Sequence, residues 1–219
     1  MYKHFFKHLF DYLFALILII LLAPLFIIVS IIIKIDSKGP AIFKQVRSGK
    51  DNKNFTIYKF RTMRQDNDLF DKSKDDQNTK IGYILRKTSI DELPQLFNVL
   101  KGEMSFIGPR PWVTEYAKYF TKTQMHRLDV LPGITGYAQV CGRNGLDVFK
   151  KIEADIYYAD HLTFFMDVKV IFLTIKTIFS RKGYSNNKQG IHNEIEDLKK
   201  QHEKKKSNSK PKAKFNKKK

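Results

Sequence analysis

The chain has 219 residues, 42% of them hydrophobic, which suffices for one good core, so one domain with appendages is expected rather than two domains. Lys and Arg number 40 against 22 acidic residues, a net charge of +18 that points to a polyanionic partner: nucleic acid, an anionic membrane face or phosphorylated substrates. Cys141 is the only cysteine, which excludes an intrachain disulfide and permits a reducing compartment.

In chain order, residues 12–33 come first, an apolar stretch without one charged side chain and long enough to span a bilayer as a helix. Lys34, Asp36 and Lys38 follow directly, where a cleaved signal peptide would place small residues, so the segment is expected to stay in the mature protein. Pro24 sits at its midpoint and predicts a break or kink. Lys3 and Lys7 precede it, and Lys34, Lys38, Lys44 and Arg47 follow, so both flanks prefer the cytoplasm. The residues alone leave two alternatives open, a re-entrant hairpin and a kinked single span.

Turn clusters at Gly39-Pro40 and residues 49–54 flank short runs at 41–46 and 55–60, which predict a β-hairpin. Residues 64–80 are polar and aperiodic, an exposed loop. Leu93, Leu96, Phe97 and Leu100 repeat at helical spacing until Gly102; an N-cap at Ile90 or Asp91, rather than at Ser89, keeps Pro94 in the first turn and puts Asp91 at the helix N-terminus. Residues 112–130 read as a helix, 134–145 as a compact Gly-rich loop or strand-turn region, and 147–161 as a further helix. Residues 166–180 are apolar around most of the circumference, fitting an interfacial or a buried helix alike. From Tyr184 onward 12 lysines face four acidic residues, and this basic tail is expected to be disordered apart from a short helix near 194–201.

Adjacent carboxylates at Asp91 and Glu92 can serve merely as a helix start, since Ser89-x-x-Glu92 fits a capping box. Their neighbours suggest more: Arg86, Lys87, Arg110 in GPRP and Arg143 in GRN supply guanidinium and ammonium groups suited to phosphates around a helix N-terminus. An ionised Asp there can attack phosphorus and form an acyl phosphate. Mg²⁺, which needs only one or two carboxylates plus phosphate oxygens, would ease the meeting of two anions, with Glu92 organising it. The chain lacks GxxxxGK[ST] and HExxH, and its six His do not cluster, so neither a P-loop nor a zinc-protease site is expected.

The apolar N-terminal segment with its Pro, KIDSKGPAIFKQVRSGK, IYKFRTM, LRKTSIDELPQLFNVLKGEMSFIGPRPW and LPGITGYAQVCGRNG, in that order over residues 5–182, resemble the bacterial sugar transferases, specifically the small monotopic phosphoglycosyl transferases. The resemblance implies an α/β catalytic domain over 37–183, a re-entrant membrane helix hairpin over 1–36, interfacial amphipathic helices, and a basic tail at 184–219 outside the similarity. It further implies transfer of a sugar 1-phosphate from a UDP-sugar to undecaprenyl or another polyprenyl phosphate with release of UMP, in two ping-pong steps with Mg²⁺. Asp91 would be the nucleophile and Glu92 its partner, both near the metal; Arg86, Lys59, Arg110 and Arg143 would contact substrate, and Pro24 would form the membrane break. The expected location is the cytoplasmic face of the bacterial inner membrane, with lipids and downstream glycosyltransferases as further partners. One departure is Ala23 before Pro24, where the family commonly has Ser. The rival readings are a membrane-tethered nucleic-acid binder using the tail and a non-catalytic scaffold of the same fold.

Overall fold

The computed structural model describes residues 1–64, 78–142, 146–179 and 191–209. Most of the polar loop expected over 64–80, Arg143, and the tail at 184–190 and 210–219 lie outside the described residues. A π-helical turn at Tyr2–Phe6 leads into α1 (Lys7–Asp36), a 30-residue helix with Pro24 inside it. No non-helical residue separates the two halves, so the expected hairpin is not seen as two helices with a loop between them. Little of α1 is covered by protein: Ile17, Ile20, Leu21, Ile27 and Ile28 are all exposed, and the helix is apolar enough to cross a membrane. Such a surface associates the protein with a membrane.

The covered residues of α1 lie toward its ends, namely Lys7, Asp11 and Ala15, then Val29 and Ile33. Lys7 Nζ donates to Asp167 Oδ2 at 2.7 Å, and Tyr2 and Tyr158 hydroxyls donate to the same carboxylate at 2.6 Å each, so the start of α1 is tied to α8 (Phe164–Phe179) and α7 (Val148–Asp160). At the far end Val29 and Ile33 pack with Ala41, Phe60 and Leu85.

Two strands form the expected hairpin, β1 (Ile42–Ser48) and β2 (Asn54–Phe60), antiparallel with Lys44 opposite Tyr58 and Phe43 opposite Lys59. Asp51 and Asn52 take positive φ at the turn, a conformation their short polar side chains tolerate. Side chains alternate across the ribbon. Phe55 and Ile57 pack with Ala15, Val99 and Met104, whereas Phe60 joins the cluster around Val29 and Ile33. The second sheet is a short parallel pair, β3 (Ser105–Ile107) and β4 (Gly133–Thr135), and β4 is followed by the short helix α6 (Tyr137–Gly142). The fold is therefore mixed but mostly helical, with small sheets as staples.

The helix expected over 112–130 is broken into α4 (Thr114–Ala117), α5 (Lys122–Met125) and a 3-10 turn at His126–Leu128. Thr121 restarts the chain with a capping box: its Oγ1 accepts from Gln124 N at 3.3 Å, while Gln124 Oε1 accepts from Thr121 N at 2.8 Å. The break lets Trp112, Tyr116 and Phe120 gather against Val148 and Ile152. α9 (Ile191–Ser209) is longer than the helix expected in the tail and is docked: Leu198 is fully buried in that aromatic cluster. Glu194 accepts from Tyr116 Oη and from Lys151 Nζ, both at 2.7 Å. α8 settles its own ambiguity by having two faces, with Met166 and Val170 in the core and Phe165, Phe172 and Ile178 exposed.

Candidate active site

α2 (Lys80–Thr88) begins with Thr79 Oγ1 accepting from Gly82 N at 2.9 Å and ends at Ser89, which turns the chain in the left-handed region with φ 59°. The next segment, Ile90–Gln95, is a 3-10 helix, and only Leu96–Leu100 (α3) is α-helical. The expected N-cap at Ile90 or Asp91 is therefore corrected: Ser89 precedes the first helical residue and Pro94 is the fifth. Pro94 has no N–H to give, so this position forgoes one bond of the helical ladder. Asp91 and Glu92 do lie in the first turn.

The capping box does not form, because Ser89 makes no side-chain cap and the Glu92 carboxylate is engaged elsewhere. Lys59 Nζ donates to Glu92 Oε1 at 2.7 Å and Arg110 Nη2 to the same oxygen at 3.0 Å. Burial alone would raise the Glu92 pKa, but Arg110 and Lys59 outweigh it and hold the carboxyl down at about 2. Glu92 is thus a fixed anion. Asp91 is 8% exposed, and among the described residues none donates a hydrogen bond to its carboxylate. Burial pushes its pKa above the ordinary aspartate value; Lys59, Arg86 and Arg110 pull the other way, while Glu92 adds to the rise.

Each cation is held by its own element. Asn98, fully buried on α3, accepts from Tyr58 N at 3.1 Å and donates to Thr56 O at 2.7 Å, which clamps α3 along β2 and sets Lys59 opposite Glu92. Gly108 and Gly133 pack so closely that a Cβ on Gly133 would stand 2.1 Å from Gly108 N, so neither tolerates a side chain. With Gly133 N donating to Pro109 O at 2.9 Å, this contact fixes the GPRP turn that carries Arg110. Arg86 Nε donates to Thr62 Oγ1 at 3.0 Å, and its Nη2 lies 3.3 Å from Met63 Sδ.

The structure brings together Asp91, Glu92, Lys59 and Arg110, with Arg86 near enough to act on Asp91. Pro24 lies apart, within α1. Two further arginines escaped the sequence reading. Arg127 is 1% exposed; it pairs with Asp155 at 2.7 Å, stacks on Trp112 at 4.1 Å, and donates to Arg110 O at 2.8 Å, bracing the turn behind the site. The readable signal was Asp155, a carboxylate among Ile152, Tyr158 and Ala159 on the apolar face of α7. Arg47 donates to Gln45 Oε1, and burial together with Arg110 lowers its pKa to about 10.

No group of three or more His, Cys, Asp or Glu side chains converges among the described residues. Mg²⁺ asks for less, one or two carboxylates completed by phosphate oxygens. The Asp91 carboxylate, which accepts no hydrogen bond among the described residues, and the second oxygen of Glu92, whose Oε1 receives both cations, fit that donor set.

Comparison with known proteins adds an independent line. The sequence profile of bacterial sugar transferases matches residues 2–181. The uncharacterized sugar transferase EpsL of Bacillus subtilis is 46% identical over 142 residues, 64% of this chain and 70% of that protein. The galactosyl transferase CpsE of Streptococcus agalactiae is 45% identical over 150 residues, 61% of this chain and 33% of that protein. A UDP-glucose:undecaprenyl-phosphate glucose-1-phosphate transferase of Klebsiella pneumoniae is 42% identical over 151 residues, 64% of this chain and 32% of that protein. The chain thus spans about a third of the length of the latter two.

Proposed function

The chain belongs to the bacterial sugar transferase family, and on that premise we propose that it moves a sugar 1-phosphate from a UDP-sugar to a polyprenyl phosphate and releases UMP. The observation that carries this reading is the division of roles within one carboxylate pair. Glu92 is locked by Lys59 and Arg110, whereas Asp91 beside it is buried, accepts from no donor among the described residues, and feels the charge of the same cations. A pair of acids whose surroundings push their pKa values apart is the arrangement expected when one acid acts and the other positions.

In the first step an Asp91 oxygen attacks the β-phosphorus of the UDP-sugar. The new oxygen–phosphorus bond replaces the bond to the bridging oxygen, whose electron pair leaves with UMP, and the sugar phosphate stays on Asp91. In the second step an oxygen of polyprenyl phosphate attacks the same phosphorus, the Asp91 oxygen leaves, and a diphosphate-linked sugar departs. Lys59, Arg86 and Arg110 favour the ionised form of Asp91 against the cost of burial and offset the charge of the phosphates. Arg143 belongs with this set by its GRN motif. Mg²⁺ held by Asp91 and Glu92 would supply further charge neutralisation on the phosphate oxygens.

The membrane arrangement we favour is re-entrant. A spanning helix would put its ends on opposite sides of a hydrocarbon layer about 30 Å thick. Here Lys7 and Asp11 at one end and Val29 and Ile33 at the other pack against the same catalytic body, which supports a reading with both ends on one side. With UDP-sugar as donor, that side is the cytoplasmic face of the inner membrane.

Purified protein in detergent with Mg²⁺, tested against a panel of UDP-sugars with and without undecaprenyl phosphate, should release UMP from at least one donor in an acceptor-dependent way. Folded protein that releases none from a broad panel would favour a non-catalytic scaffold instead.

A further inference from the structure

A groove of about 720 Å³ runs between the C-terminal half of α1, the hairpin and the segment that follows Asp91. Its walls include Ala41, Ile42 and Phe97, and its rim carries three ammonium groups, those of Lys34, Lys44 and Lys101. We propose that this groove binds the polyprenyl phosphate acceptor, its first isoprene units on the apolar wall and its phosphate among the three lysines. The inference rests on the transferase reading and adds where the second substrate enters.

Three observations carry it. The first is continuity with lipid: Phe97 is 40% exposed and meets Phe26 of α1 with ring centroids 5.7 Å apart, so the groove wall joins the apolar surface of the membrane helix. An isoprenoid chain can pass from bilayer to groove without crossing water.

The second is charge complementarity. Lys44 and Tyr58 are cross-strand partners on one face of the ribbon. Lys101 donates to the Tyr58 hydroxyl at 2.8 Å, and its Nζ lies 4.6 Å from the ring centre, with Lys44 Nζ at 6.0 Å. Tyr58 therefore gathers two cations that would otherwise repel, and Lys34 in the last turn of α1 adds a third. Lysine, a point charge with rotatable donors, suits a phosphate monoester that must still move.

The third is access to the nucleophile. Pro94 lines the groove and stands three residues after Asp91 in the same 3-10 helix, where residues i and i+3 eclipse on one face. Parity along β2 gives the donor side its own cations: Lys59, which pairs with Glu92, points away from the face of Tyr58. Two chemically distinct approaches would then converge on the segment that carries Asp91 and Pro94, a cationic one for the sugar nucleotide and an apolar, lysine-rimmed one for the lipid phosphate.

The test separates the two half-reactions in the full-length protein. Exchange of labelled UMP into UDP-sugar without acceptor reads the first, and product formation at varied undecaprenyl phosphate reads the second. In Lys44→Ala/Lys101→Ala, exchange should stay within about twofold of wild type while the acceptor KM rises on the order of tenfold or more, the scale of a lost charge-assisted phosphate contact. Unchanged acceptor KM, or exchange and transfer falling together, overturns the assignment. Photo-crosslinking with a benzophenone-bearing prenyl phosphate reads the groove without turnover, so a failure of the transferase reading remains distinguishable. Adducts should map to 40–44 and 94–101 and resist excess phosphatidylglycerol. Labelling elsewhere, or equal displacement by that lipid, overturns the groove as an acceptor site.

Discussion

Glu92 and Asp91 are neighbours with opposite burdens, and pH separates them. Glu92 has a folded pKa of about 2 against an ordinary value of 4.5, so its pairing contributes stability that is complete above the ordinary value and is lost as pH falls from 4.5 toward 2. Thermal melts of wild type should drop across that window, and Glu92→Gln should flatten the drop while costing about 1–3 kcal/mol at neutral pH, because Lys59 and Arg110 lose their shared acceptor. For Asp91 the folded pKa is raised, and only the ionised form can attack. The rate of the first half-reaction should therefore fall with acidity at a pH above the ordinary aspartate value of 3.8; an acid limb below 3.8 would remove the buried Asp91 from that step. The pair and Arg110 were legible because their motifs mark them. Arg127 was not: it sits in an undistinguished stretch and gains its role only through Trp112, Asp155 and a backbone carbonyl supplied by distant elements.

Elements held their places better than their boundaries. The hairpin matched its two apolar runs to within two residues, since alternation and turn chemistry are local properties. The run over 112–130 broke because Thr121 and Gln124 cap each other and the aromatic residues gain more by gathering around Leu198 than by lying on one helix face. That tertiary preference is invisible in a periodicity. Leu198→Ala should cost about 2–4 kcal/mol, the range for emptying a full core site, and should lower the melting temperature of the catalytic body. If the melt is unmoved, α9 is not part of the folded unit. Gly133→Ala puts a methyl group against the backbone of Gly108 and must part β3 from β4, so it should destabilise by about 1–3 kcal/mol and reduce transfer further by shifting Arg110. Full activity in that variant would break the link between the glycine contact and the site.

At the scale of the whole molecule, the apolar segment was plain in the sequence, and the contacts that place its ends were not. Lys7 meets Asp167 across 160 positions of chain, a pairing no local pattern encodes. The consequence is topological: cysteine labelling at Lys3 and at Lys50, from the two sides of sealed vesicles, should report the same side, and opposite sides would replace the re-entrant helix with a spanning one. Two substrate approaches are proposed around one carboxylate, and that carboxylate bears the central claim. Its most direct test is the intact mass of the purified protein after incubation with Mg²⁺ and a UDP-sugar that releases UMP, with no acceptor present. One added sugar phosphate, mapped by peptide digestion to Asp91, absent from Asp91→Asn and discharged by undecaprenyl phosphate, is the expected result. UMP release without any adduct, or an adduct on another residue, would contradict Asp91 as the nucleophile.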